Sequence, residues 1–456
     1  MGTTETLQNT SAEDSEALNL TTIDEDSRIL IFEFLEWDDL ARVADTSKKL
    51  YTAACDVYKR KYGKVTLITT PRYETDNSFT GTRIYRNRIY LWDPVISLKV
   101  VRNFGHITSH IAVGCRLPKD GKKTAFVSFL MSSLEKYCSK SLRELTDRTN
   151  NLLFLKEIRN PFINVEKIFC TWVSFSTSEI PFNTLFPNLK SLDVAWISGS
   201  TSEMPFCTLF PNLESLKTSI SNKVAVRIAS PSMKHLCITT PMFHEENIVY
   251  ELLKLNPQLE KLEIDFKNIF RHIMFSRDVN LPKLKDLFLR TYFKTYNVQR
   301  YHFDNVTNFH LVVNSDLAYV PFTFNKLERF QFTSYYFSKS DTIPSHIFDF
   351  ITENKHLKSI TVSRLECGVT ELFQLCSVLT NIEELYVEVR RPLPSSISEL
   401  IRNLFSKNHS FKNLTLEGPK LHYGLEDLDD FIKSKISKRE EYFSYSCFKI
   451  KLTLNP

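Results

Sequence analysis

Thr177-Ser178-Glu179-Ile180-Pro181-Phe182-Asn183-Thr184-Leu185-Phe186-Pro187-Asn188-Leu189-Lys190-Ser191-Leu192 recurs almost unchanged 24 residues further on, from Thr201 to Leu216. Three of the sixteen positions differ: Ile180 becomes Met204, Asn183 becomes Cys207 and Lys190 becomes Glu214. Self-similarity at such a period marks a chain built by stacking one supersecondary unit. The stretch Leu189-Lys190-Ser191-Leu192-Asp193-Val194 reads apolar-x-x-apolar-x-apolar. Its last two apolar positions alternate with polar ones, which predicts a short strand with one buried face.

The same core recurs with drift. It starts at Val165, Leu189, Leu213, Met233, Leu259, Leu284, Val306, Leu327, Leu357, Ile382 and Phe411, and the gaps between successive starts are 24, 24, 20, 26, 25, 22, 21, 30, 25 and 29. Weaker candidates lie at Ile107–Val113 and Leu142–Leu145, the second with polar Asp147 in the third apolar place. Apolar faces at helical spacing predict helices over Ala125–Cys138, Ile248–Leu255, Ile347–Ile351, Val369–Leu379 and Ile397–Phe405. Pro187, Pro211, Pro257 and Pro282 stop connectors just before strands.

Strand, connector and helix at this period resemble the leucine-rich repeat. The expected fold is an α/β solenoid with irregular repeats, its strands parallel along a concave side. A doubly wound sheet is the competing architecture, but its strands, buried on both faces, read as near-continuous apolar runs. The Asn usual in leucine-rich repeats three residues past the strand core occurs essentially once, at Asn314. With the uneven lengths, that implies irregular curvature. Val65–Ile68 and Arg88–Leu91 are expected to help close one end, and alternating Phe448, Ile450, Leu452 and Leu454 the other.

The array is read over 64–456, preceded by a helical segment at 20–63 and a polar tail at 1–19 too poor in apolar residues to order itself. In the segment, Asp26 or Ser27 is expected to cap a first helix carrying Ile29, Leu30, Phe32, Phe34 and Leu35, a run that Trp37 breaks. Asp38 is expected to cap a second helix and Ser47 a third, which Gly63 ends. The first helix is apolar around most of its circumference, so a partner surface is implied.

Ile31-Phe32-Glu33-Phe34-Leu35, then Asp38-Asp39-Leu40, then Val43-Ala44-Asp45-Thr46-Ser47-Lys48-Lys49-Leu50 resembles an F-box. It departs from the family pattern at Ile23-Asp24, where Leu-Pro is usual, and at Arg28, often apolar. The resemblance implies binding to a Skp-type adaptor and, through it, a cullin–RING ubiquitin ligase. The adaptor residues would be Ile31, Phe32, Leu35, Leu40, Val43 and Leu50, some of which must instead hold the helices together.

Composition fits a soluble globular protein: of 456 residues, 42% are hydrophobic and 24% charged. Ten glycines, with neither GxGxxG nor GxxxxGK[ST], argue against nucleotide-driven chemistry. A net charge of +5 spread over the chain is no nucleic-acid stripe, and the basic run Lys433–Arg439 reads as a solvated helix face. The nine cysteines are scattered and form no CxxC, so free thiols in a reducing compartment are expected. No signal peptide or membrane-length apolar run is visible. Cytoplasm or nucleus is the expected location, with no membrane or nucleic-acid partner.

No GxSxG or HRD-type signature occurs, and His106 and His110 lack the intervening Glu of HExxH, so no enzyme, cofactor or metal site is expected. The candidate recognition surface is the outward strand face: His235, Lys261, Glu263, Phe288, Arg290, His310, Arg329, Gln331 and Tyr386. The sequence is thus read as the substrate receptor of a ubiquitin ligase of the SCF type, with an unidentified protein substrate. The alternative is a leucine-rich interaction scaffold with no ligase role.

Overall fold

The computed structural model describes residues 20–69, 88–91, 94–114, 122–148, 155–174, 180–198, 206–220, 228–240, 246–266, 279–291, 301–313, 320–334, 345–365, 369–390, 397–418, 436–443 and 448–454. The tail at 1–19 and Asn314 lie outside them. The chain divides into two compact units, Met1–Thr146 with Glu157–Asn164, and Asp147–Lys156 with Val165–Pro456. Residue 63 falls inside the first unit.

The first unit opens with α1 (Glu25–Glu33), α2 (Trp37–Ala44) and α3 (Lys48–Tyr62). Two caps differ from expectation. Asp24, rather than Asp26 or Ser27, caps α1, its Oδ1 accepting from the Ser27 amide at 2.9 Å. Trp37 does not break a run; it is buried and begins α2, which places Asp38 inside the helix. Ser47 caps α3, its Oγ accepting from the Leu50 amide at 3.2 Å. Gly63 ends α3, and a Cβ there would stand 2.4 Å from the Lys59 carbonyl oxygen.

Phe32, Trp37, Leu40, Leu50, Val57 and Tyr58 form the core of these helices. A fourth helix, α4 (Pro94–Phe104), packs on α2 and α3. Phe104 stacks on Tyr58 at 4.1 Å between ring centroids. Buried Asn103 donates through Nδ2 to the Ala41 carbonyl at 3.0 Å and to Asp45 at 2.9 Å. The unit also holds β1 (Thr66–Thr69), flanked in parallel by β2 (Arg88–Leu91) and β3 (His110–Gly114), and then α5 (Lys122–Cys138). β4 (Glu144–Arg148) runs on into the second unit at Asp147. Asp147 takes its apolar place fully buried and accepts from the Leu155 amide at 3.3 Å.

The second unit is a ladder of parallel strands in chain order. It starts β5 (Lys167–Ser174), β6 (Ser191–Ser198), β7 (Ser215–Ile220), β8 (His235–Thr240), β9 (Lys261–Phe266), β10 (Asp286–Thr291). Two short strands, β11 (Tyr301–Phe303) and β13 (Phe322–Phe324), pair with each other in a separate sheet. The main ladder continues β12 (Asn308–Val313), β14 (Arg329–Ser334), β15 (Ser359–Leu365), β16 (Glu384–Val389), β17 (Asn413–Gly418). The three pattern positions of all eleven cores are buried, Cys170 and Thr218 standing in for apolar residues at two of them. A doubly wound sheet would reverse its strand order at a switch point; this ladder runs straight on, the topology of a solenoid.

In eight of the ten gaps the described residues show which connector goes with which repeat length. Among the described residues, the two gaps of 21 and 22 carry only β13 and β11. Gaps of 24 carry the single-turn helices α6 (Phe182–Leu185) and α7 (Phe206–Leu209). The gaps of 26, 30 and 29, and the gap of 25 from Leu357 to Ile382, carry α8 (Glu246–Leu255), α9 (Ser345–Glu353), α11 (Ile397–Lys407) and α10 (Val369–Val378) respectively. A helix rises less than half as far per residue as a strand, so it needs more chain to cover the same span. The C-terminal end is an antiparallel hairpin: β19 (Phe448–Leu454) joins β17 to β18 (Ile436–Phe443). The basic run expected on a helix therefore lies, from residue 436, in a strand. Charge along it suits an edge position, where it opposes further pairing.

Buried asparagines anchor the turns before strands. Asn256 follows α8, Asn354 follows α9 and Asn408 follows α11, each bonding carbonyls that the helix end or a neighbouring turn leaves open. Asn212, Asn305 and Asn381 donate across repeats to the carbonyls of Pro187, Pro282 and Lys355 at 2.9, 2.8 and 2.8 Å.

The residue after each first core position forms a second ladder: Glu166, Lys190, Glu214, Lys234, Glu260, Lys285, Thr307, Glu328, Lys358, Glu383, Lys412. Each backbone amide donates to the preceding member's carbonyl, from Lys190 to Glu166 at 2.9 Å through Lys412 to Glu383 at 2.7 Å. The side-chain charges alternate, with Thr307 the neutral member. Ion pairs close at 3.2 Å for Lys190–Glu166, 3.1 Å for Lys234–Glu214, 2.9 Å for Lys358–Glu328 and 2.6 Å for Lys412–Glu383.

Candidate interaction surfaces

The first surface is α1. Capping carbonyls at its end leaves it firmly seated: Lys61 Nζ donates to the carbonyls of Glu33 and Leu35 at 2.9 and 2.8 Å, and Arg60 pairs with Glu33 at 3.0 Å. Yet Phe32 is the one residue of α1 that is fully buried. Leu30 is 60% exposed, Ile31 38% and Phe34 89%. Leu30 and Phe34 stand four apart and therefore share a helix face. The six expected adaptor residues separate accordingly. Phe32, Leu40 and Leu50 hold the helices together, Leu35 and Val43 are half-buried, and Ile31 is at the surface. The exposed set adds Leu30 and Phe34, whose apolar character the sequence displayed without saying which way they point.

Asp45, the C-cap of α2, is tied to α4 by Asn103, Arg102 and Lys99. Burial pushes its carboxyl up, but the hydrogen bonds from Asn103 and Arg102 and the nearby cationic charge outweigh that and hold it below the usual range.

The second surface is the open face of the parallel ladder. Register sets its residues in rows. One row runs Ser215, His235, Lys261, Asp286, Asn308, Arg329, Ser359, Glu384. The next runs Lys217, Cys237, Glu263, Phe288, His310, Gln331, Thr361, Tyr386. Arg290 stands one row further on, paired with Asp265 at 2.9 Å. None of the nine expected residues is buried.

Six of them, Lys261, Glu263, Phe288, His310, Arg329 and Gln331, line a hollow of about 470 Å3 together with Asp286, Asn308, Ser359 and Thr361. His235 and Tyr386 lie in the same rows beyond its lining, Tyr386 donating its hydroxyl to Glu417 at 2.8 Å.

Charges in and beside the hollow are largely spent on one another. Lys261 pairs with Glu263 at 2.6 Å. Burial would raise Glu263, but the Lys261 hydrogen bond and charge hold it below its ordinary value. Phe288 meets the His310 ring edge-on at 4.6 Å, and Arg290 lies 5.8 Å from the Phe288 centroid. Burial, then the Arg290 charge, pushes His310 down to about 4, so its ring is neutral near pH 7. Among the described residues no group of three His, Cys, Asp or Glu could hold a metal ion, and no helix is long and apolar enough to cross a membrane.

No protein-family model matches the sequence, and no curated protein matches it. Among solved structures, it is similar to a chain in the crystal structure of a TLR13–ssRNA13 complex, with a TM-score of 0.29 and 13% identity. That match covers 68% of this chain and 54% of the other, so this chain spans about half the length of its structural neighbour.

Proposed function

We propose that the chain is a substrate receptor of the F-box and leucine-rich-repeat kind. α1 docks a Skp-type adaptor, and the open strand face holds a protein substrate for a cullin–RING ubiquitin ligase of the cytoplasm or nucleus. The observation that carries this reading is Phe34, 89% exposed at the end of α1, with Leu30 60% exposed four residues before it. A contiguous apolar patch left in water marks an interaction site. The sequence resemblance to an F-box supplies the kind of partner. On this reading the chain contributes no reacting group; it raises the effective concentration of a substrate lysine near a charged conjugating enzyme.

The test is capture of a purified Skp-type adaptor by the full chain. Leu30→Asp with Phe34→Asp should abolish capture while leaving the circular dichroism unchanged, because neither side chain is in the core. Phe32→Asp should unfold the helices instead. Equal capture by wild type and the surface double variant would refute the docking face. No capture by wild type would favour a scaffold whose helices close the first unit, as the packing of α4 on α2 and α3 would allow.

A further inference from the structure

The hollow on the open face contains one cation that, among the described residues, stands outside any ion pair. Arg329 is exposed and, among the described residues, makes no ion pair. Its ladder neighbours Asn308 and Ser359 are neutral. Its chain neighbour Glu328 is engaged by Lys358 at 2.9 Å and feels the Arg329 charge only as a lesser influence. Of the other charges at the hollow, Lys261 pairs with Glu263 and Arg290 with Asp265, while Asp286 accepts from the neutral amide of Asn308 and keeps its charge two strands from Arg329. One and two strands away, His310 and Phe288 present an aromatic pair, half-buried and so partly open to a ligand.

We propose that this hollow takes an extended peptide segment bearing one acidic side chain three or four residues from a large apolar one. The carboxylate sits on Arg329 and the apolar group against Phe288 and His310. The spacing follows from the ladder. Arg329 on β14 and Phe288 on β10 are separated by two strand steps of about 4.8 Å and by one row, roughly 6.6 Å along the strand. The diagonal is about 12 Å, which an extended chain covers in three to four residues at about 3.3 Å each. A carboxylate on a guanidinium that makes no ion pair gains a charge-assisted, bidentate contact. This deepens the receptor reading and rests on it for the role of the open face.

The experiment uses the full chain and fluorescent 12-residue peptides, each with one Glu and one Leu in a Gly/Ser background, at spacings from one to six. Fluorescence polarisation should give the tightest binding at a spacing of three or four. Arg329→Glu should weaken it by about ten- to a hundredfold, as should Glu→Gln in the peptide, while Arg329→Lys keeps part of it. Arg329 is exposed, so its variants keep the fold. No measurable binding, no dependence on spacing, or binding indifferent to Arg329→Glu would each overturn the proposal. A phosphoserine peptide binding more than tenfold tighter than its glutamate twin would overturn the carboxylate assignment in favour of phosphate. Adaptor capture measured on the same preparations keeps the two readings apart. Intact capture with silent peptides rejects only the peptide site, and lost capture with peptides bound rejects only the receptor role.

Discussion

Asn408→Asp exchanges an amide for a carboxylate of the same shape in a buried turn, and it should be more damaging than removing the side chain altogether. Asn408 Nδ2 donates to the carbonyls of Cys376, Leu379 and Ile382 at 3.1, 2.8 and 3.0 Å, and its Oδ1 accepts from the Ser410 amide at 3.1 Å. Asn408→Ala loses these bonds. With two N–H groups shared over three carbonyls, the loss amounts to about three net hydrogen bonds at roughly 1 kcal/mol each, so about 3 kcal/mol. Asn408→Asp leaves space unchanged but aims a charged oxygen at three carbonyl oxygens, adding roughly 1–3 kcal/mol for a buried charge without a partner. The introduced carboxyl should have a raised pKa in the folded chain. The excess penalty is therefore full at neutral pH and shrinks as pH falls through that raised value, where the protonated acid can donate. Because each repeat leans only on its neighbours, the readout should be local: hydrogen exchange of peptides spanning 397–418. Asn408→Asp exchanging no faster than Asn408→Ala at pH 7 would refute the donor arrangement described for this turn.

Two further outcomes can be checked directly. His310 and His346 are both pushed down to about 4, chiefly by burial. Since the unfolded chain then binds more protons than the folded one between pH 6.5 and about 4, stability should fall as pH drops through that window. A His310→Gln, His346→Gln double variant should show a flatter melting-temperature profile there, and an unchanged profile would count against the neutral rings. Burial also pushes the Cys138 and Cys376 thiols up to about 12, so both should escape iodoacetamide in the native protein and react only on unfolding, as mass spectrometry would record.

The strand ladder was legible because each unit buries three positions in a fixed six-residue pattern, a signal strong enough to survive Cys170 and Thr218 in apolar places. The longer connectors were legible for the same reason, their apolar faces recurring at helical spacing. α4 was not, because Ser97 and Asn103 lie on its buried side and break the apolar period. β18 was not, because its Lys438, Arg439, Glu440 and Glu441 give no alternation of apolar with polar. The open-face residues could be named from strand parity. Their gathering into one hollow could not, since that depends on register between strands a whole repeat apart in the chain. On α1, composition announced an excess of apolar residues. Only the packed bundle shows that Phe32 turns inward while Leu30 and Phe34 turn out.

The alternating charges beside the strands give the array a parity. Lys190 and Glu214 are among the few differences between the twin segments, and both sit in that row. Excising one twin would bring Glu166 beside Glu214, or Lys190 beside Lys234, whereas excising both would bring Glu166 beside Lys234 and keep the signs in order. From Glu166 to Lys285, where the signs alternate without a break, units can therefore be gained or lost in couples without an electrostatic fault, and a lone copy fits there only after its sign has been reversed.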